Sequence, residues 1–170
     1  MRHILAKYFG AACLTAALAF SAGIPGATTG KVQLKSAGAL AFGNDGVLFI
    51  GDSLGGAVVA VDTRDTKASA KAAVIDIKGV NEKAAALLGT TPDQILINDV
   101  KVNPISKNVY LSISRGKGPD AIPVILRVDA AGKLSEFSLE SVPFASASLA
   151  DAPASKPGGR GGDPRNDAIT

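Results

Sequence analysis

The chain has 170 residues, 46% of them hydrophobic and 5% aromatic, with 18 basic side chains against 15 acidic ones. Its single cysteine, histidine and methionine (Cys13, His3 and Met1) all lie in the first 22 residues, and tryptophan is absent. A chain that begins after residue 22 can therefore form no disulfide and no thiolate metal site. It also loses Arg2 and Lys7, which leaves 16 basic residues against 15 acidic, so no nucleic-acid partner is expected.

Residues 1–22 read as a secretory signal peptide. Arg2 and Lys7 give a positive start, Phe9 to Phe20 form an apolar run, and Ala17-Leu18-Ala19 or Phe20-Ser21-Ala22 suit cleavage. The run is short for a membrane span, and no span is expected in the mature chain. An uncleaved anchor, or a lipid on Cys13, is the weaker alternative. Cys13 follows Gly10-Ala11-Ala12, without the large aliphatic residue usual three positions before an acylated cysteine. The expected location is the periplasm or the exterior. About 148 residues remain, enough for one domain with its own core. With five aromatics left, that core must be built from Val, Ile, Leu and Ala, which points to strands.

Residues 23–35 form a lead-in. The first β-meander spans 36–80. Ala39–Phe42, Val47–Gly51 and Ala57–Val61 are its strands, separated by Gly43-Asn44-Asp45-Gly46 and Asp52-Ser53-Leu54-Gly55-Gly56. Asn, Asp and Gly accept the positive φ of tight turns. Val74–Ile77 is expected as the fourth strand.

Residues 81–95 are a short helical connection. Asn81 is expected to cap a helix that Gly89 ends, and Thr91-Pro92-Asp93-Gln94 has the spacing of a second helix start.

Residues 96–142 repeat the meander. Val109-Tyr110-Leu111 matches Leu48-Phe49-Ile50, Val124–Asp129 matches Ala57–Asp62, and the outer strand comes from "GKLSEFSLESV". The polar loop with Arg115, Lys117 and Asp120 is read as solvated. Residues 143–170 are expected to be a Gly/Pro/Ala-rich loop. Its one Arg160-Gly161-Gly162 is read as plain loop, and Asn166–Thr170 resembles Ile97–Val100 enough to start a third unit. The fold expected is mostly β, with antiparallel four-stranded meanders arranged as propeller-like blades, incomplete within these residues. A fragment of a longer protein, or an unusual small assembly, is the corresponding expectation.

The run "ALAFGNDGVLFIGDSLGGAVVAVD" resembles repeats of the six-bladed β-propeller superfamily, which includes NHL-repeat and SMP-30/gluconolactonase-like proteins. Asn44, Asp45, Gly46, Leu48, Asp52 and Asp62 carry the likeness, and of the acids only Asp129 recurs in the second copy. The resemblance implies a binding or scaffold protein of unknown ligand, with no catalysis inside these residues. The alternative it implies is part of a metal-dependent hydrolase, with a divalent metal on the axis of a complete propeller. Asn98 and Asp99, at the start of an inner strand, would then be one contribution to a ligand or metal site. No cofactor is otherwise evident.

Gly51-Asp52-Ser53-Leu54 also resembles the nucleophile block of GDSL-type esterases, in which Ser53 would attack. Serine needs a base to take its proton, and no histidine follows His3. Gly55-Gly56 and the apolar run after them favour a turn and a strand over the helix that fold requires. Ser53 is rejected as a catalytic residue on those grounds.

Overall fold

The computed structural model describes residues 23–68, 75–156 and 163–169. The signal-peptide reading of residues 1–22, Val74 and the Arg160-Gly161-Gly162 triplet fall outside them. The described chain is mostly β, with two antiparallel sheets and one short α-helix. None of its described helices is long and apolar enough to cross a membrane.

The first meander forms where alternating apolar residues meet turn chemistry. Strands β2 (Leu40–Phe42), β3 (Val47–Asp52) and β4 (Ala57–Asp62) pair in sequence, with Leu40 opposite Ile50 and Ile50 opposite Val59. Leu40, Leu48, Ile50, Val59 and Val61 are buried on one face, whereas Phe49 on the other is 39% exposed. The period-2 pattern therefore has one fully buried side and one on which Phe49 is exposed while Val47 is covered.

The outer strand is not Val74–Ile77. Ile75–Ile77 have no strand geometry, and Ile75 and Ile77 pack on the core of the second sheet. The edge of β4 is taken instead by β9 (Val142–Ser148), whose far side pairs with β1 (Thr28–Gly30). The first sheet thus runs β1-β9-β4-β3-β2. Two expectations are corrected here. Residue 142 opens a strand of the first sheet rather than closing the second meander, and the segment 143–170 begins as strand rather than loop. An unpaired β4 edge presents a row of N–H and C=O groups, and the returning chain satisfies it.

Helix α1 (Val80–Leu88) joins the sheets. Gly79, not Asn81, is its N-cap, with no side-chain cap. Ala84, Ala85 and Leu88 face inward, and Gly89 ends the helix at φ 65° with its N–H on the Ala85 carbonyl. The Thr91 segment is only a 3₁₀ turn, Pro92–Gln94, because the Thr91 hydroxyl donates to the Asp93 carboxylate instead of capping. That bond, with those from Gln94 and Lys117, lowers Asp93 to about 2.

The second sheet is contiguous in sequence. It runs β5 (Ile95–Val102), β6 (Val109–Arg115), β7 (Ile122–Val128) and β8 (Leu134–Glu136). Its inner strands β6 and β7 are buried on both faces, which explains the unbroken apolar run Val124-Ile125-Leu126, whereas β5 leaves Leu96, Val100 and Val102 exposed. Tyr110 and Ile125 face the first sheet and share a core with Leu48, Ile50 and Val61. Leu111, Ile113, Val124 and Leu126 face α1 and share a core with Ala84, Ala85 and Leu88. The layers are therefore sheet, sheet and helix.

Candidate functional site

The Gly-Asp-Ser-Leu block lies at the end of β3, and its most tightly held member is the aspartate. Asp52 is 4% exposed. Its carboxylate accepts the Lys35 N–H at 3.0 Å, the Ser36 N–H at 2.8 Å, the Ser36 hydroxyl at 2.9 Å and the Gly55 N–H at 2.8 Å. The Ser36 hydroxyl in turn accepts the Leu54 N–H at 3.0 Å. A β-carbon on Gly55 would collide with the Asp52 carboxylate, so glycine there keeps the acid in place. Asp52 thus folds the turn and fastens the lead-in to it. Ser53 heads that turn, not a helix, and its hydroxyl donates to the Ile169 carbonyl at 3.2 Å.

Asn98 and Asp99 sit at a β-bulge. Ile97 pairs with Ile113 and Asp99 with Ser112, so Asn98 is the extra residue. The bulge aims both side chains at the stretch before and into β2. The Asn98 amide donates to the Ala37 carbonyl at 2.7 Å and to the Ser114 hydroxyl at 2.9 Å. Asp99 accepts the Leu40 N–H at 2.8 Å, the Val100 N–H at 2.7 Å and the Lys101 ammonium at 3.1 Å. The Ser112 hydroxyl adds a bond to the Gly38 carbonyl at 2.6 Å. Partial burial raises the Asp99 carboxyl, but the Leu40 N–H and Lys101 outweigh it and hold it below its usual range. These side chains suit a joint between sheets better than a metal shell, because Asp99 already faces three donors. Among the described residues, no group of three or more His, Cys, Asp or Glu is placed to hold a metal.

A second joint, which the motif reading missed, lies around Asp65 after β4. Its carboxylate accepts Ser106 Oγ at 2.8 Å, Asn108 Nδ2 at 2.8 Å and Tyr110 Oη at 3.0 Å. Its backbone carbonyl takes the amide of Asn103, which is fully buried, at 2.9 Å. Burial, then the neighbouring Asp65 charge, pushes the Tyr110 phenol well above its ordinary value. The signal in the sequence is the polar run Asn103-Pro104-Ile105-Ser106-Lys107-Asn108 between β5 and β6.

Ser53 and Asn98, distant in sequence, line one cleft of about 270 Å³ with Lys35, Ser36, Ser114 and Asn166. Asp99 does not line it. The cleft offers hydroxyls, amides and one ammonium, with no carboxylate or histidine among its lining residues. It adjoins a wider cleft that continues past Lys35, Leu54 and Pro119 to Ser155 and Asp163. There the Ser155 hydroxyl and the Arg165 N–H hold Asp163 below its usual value. The loop reading of Arg115, Lys117 and Asp120 separates into three outcomes. Lys117 pairs with Asp93 at 3.4 Å, Asp120 ends a 3₁₀ turn, and Arg115 leaves the loop to bond the Leu88 carbonyl at 3.1 Å.

No protein-family model, curated protein or solved structure matches the chain.

Proposed function

We propose that the chain forms two blades of a secreted or periplasmic propeller-type protein that binds a ligand or holds a scaffold without converting it. The observation that carries this reading is the cleft at Ser53 and Asn98, where the described lining residues supply donors and acceptors but no acid–base pair. A hydroxyl without a base is a hydrogen-bonding group, not a nucleophile. The joints support the blade reading. Ser112 of the second sheet bonds the Gly38 carbonyl, and Ser53, in the turn after β3 of the first sheet, bonds the Ile169 carbonyl. Each sheet thus passes a serine hydroxyl to a segment lying beside it, as repeated neighbours would. The tail there is a 3₁₀ turn, Pro164–Asp167, capped by Asp163, rather than an inner strand.

The test pairs chemistry with binding. The purified protein is exposed to a fluorophosphonate probe and a p-nitrophenyl ester, with and without calcium or zinc. No label on Ser53 and no turnover are expected. Small polar compounds screened by amide NMR should shift the side-chain signals of Asn98 and Asn166. Ester turnover abolished by Ser53→Ala, or lactone turnover that needs metal and falls in Asp99→Asn, overturns the reading.

A further inference from the structure

A second groove, of about 470 Å³, lies between the lead-in and the outer part of the second sheet, and shares no lining residue with the cleft at Ser53. Its geometry follows from the shortness of β8. That strand pairs with Leu126–Val128, and the Phe137 N–H reaches the Ile125 carbonyl at 2.8 Å. Earlier residues of β7, Ile122 to Val124, have no strand on that side among the described residues. Pro123 suits such an edge, since it has no N–H to leave unpaired. Strand alternation turns the Pro123 carbonyl the same way as that of Ile125, toward the groove.

Two unpaired charges of opposite sign mark the ends of this stretch. Arg115 lies opposite Ile122 and Glu136 opposite Leu126. Cross-strand partners share a face, so both charges lie on the face that carries Ile122 and Val124. Among the described residues neither makes an ion pair, while Lys31 and Glu140 in the same groove pair with each other at 2.8 Å. Arg115 uses one donor on the Leu88 carbonyl, and a guanidinium has five. Between the charges Ile122 is 48% exposed, a large apolar side chain on the groove floor. The four residue steps from Ile122 to Leu126 span about 13 Å.

We infer that this groove binds a short extended peptide of two to four residues by both of its termini. The peptide carboxylate meets Arg115, its ammonium meets Glu136, an apolar side chain covers Ile122, and one peptide N–H donates to the Pro123 carbonyl. That places the peptide antiparallel to β7, as a strand added to a sheet edge. A zwitterion is the occupant that complements one free cation and one free anion across an apolar floor. A longer chain has no charged termini at this spacing.

The test uses the tripeptide Ala-Leu-Ala in titration calorimetry on the purified protein, beside its N-acetyl and C-amide forms. Saturable binding is expected for the free tripeptide, weakened about tenfold or more by either block. Arg115→Gln should remove the preference for a free carboxylate and keep that for a free amine, while Arg115→Lys, which keeps the charge without the bidentate fork, should retain part of it. Glu136→Gln should do the reverse. Arg115→Gln also loses a helix-end bond, so thermal melts accompany it, and the exposed Glu136 supplies the variant that leaves folding unchanged. Absence of saturable binding, equal binding of the blocked forms, or preferences unmoved by Glu136→Gln overturns the proposal.

Discussion

The two sheets solve one problem in different ways. The second is built from residues 95–136 without interruption, and its inner strands β6 and β7 are buried on both faces. The first gathers strands from 28–30, 40–62 and 142–148, and leaves Phe49 on a wet face. Contiguous pairing closes short loops, whereas inserting β9 between β4 and β1 closes loops that enclose the whole second sheet. Such long-range pairing costs more chain entropy than the contiguous pairing of the second sheet. The polar joints at Asp99 and Asp65 align the two sheets.

The largest expected effect tests whether the sheets are one cooperative unit. Tyr110 is fully buried, with ring centroids 5.1 Å from Phe42 and 5.7 Å from Phe137, both edge-on. Tyr110→Ala should destabilise the protein by about 3–5 kcal/mol. In urea, loss of protection should spread through both sheets in a single transition; two separate transitions break the comparison.

Asp52→Ala should act on the first sheet. It leaves the Lys35, Ser36 and Gly55 N–H groups without their acceptor, at a cost of about 2–3 kcal/mol. Hydrogen exchange should quicken in β2, β3 and β4 before it does in β6 and β7. Equal acceleration in both sheets would make the turn a global rather than a local anchor.

Asp99→Asn probes the joint between sheets. Its carboxyl is lowered in the folded state, so its contribution is present above the unfolded value near 4 and is lost as pH falls through the folded value. Because the group is only partly buried and its ion-pair partner Lys101 is half exposed, the expected loss at neutral pH is about 0.5–1 kcal/mol. Denaturation curves of the parent and the variant should converge as pH drops below 4. A gap that persists in acid would assign the effect to shape rather than charge.

Tyr110→Phe sharpens the other joint. It keeps the ring and removes one of three donors to the Asp65 carboxylate, a loss of about 1 kcal/mol. The phenol is raised in the folded state, so its contribution is complete below the unfolded value near 10 and is lost as pH climbs through the folded one. Ultraviolet titration should show one tyrosine that ionises only as the protein unfolds. Ionisation near 10 without unfolding would mean that the Asp65 joint is open in solution.

Much of the local architecture was legible in the chain itself. Alternation at Leu48 and Ile50 and the turn residues at Asn44–Gly46 and Ser53–Gly56 announced strands at the positions found, whereas the match of Tyr110 to Phe49 does not extend to burial, since Tyr110 is in the core and Phe49 is 39% exposed. The helix was legible from its alanines and from Gly89, although its cap was not, because Asn81 lies two residues past the cap Gly79, inside the helix. Ser53 and Asn98 were singled out separately, and only folding brought them to one cleft.

Hydrophobic period and turn chemistry are properties of neighbouring residues, so the amino-acid sequence alone determined them. Tertiary structure decided the rest. Val142–Ser148 carries the small, polar-spaced pattern of a loop, yet it pairs because β4 offers an open edge. Ile75 and Ile77 have the apolar spacing of a strand, yet they pack as coil on the second core. Asp52, Asp65 and Arg115 acquired their partners from segments far along the chain. Which free edge, carbonyl or charge lies within reach depends on where the folded chain returns, and no local pattern encodes that.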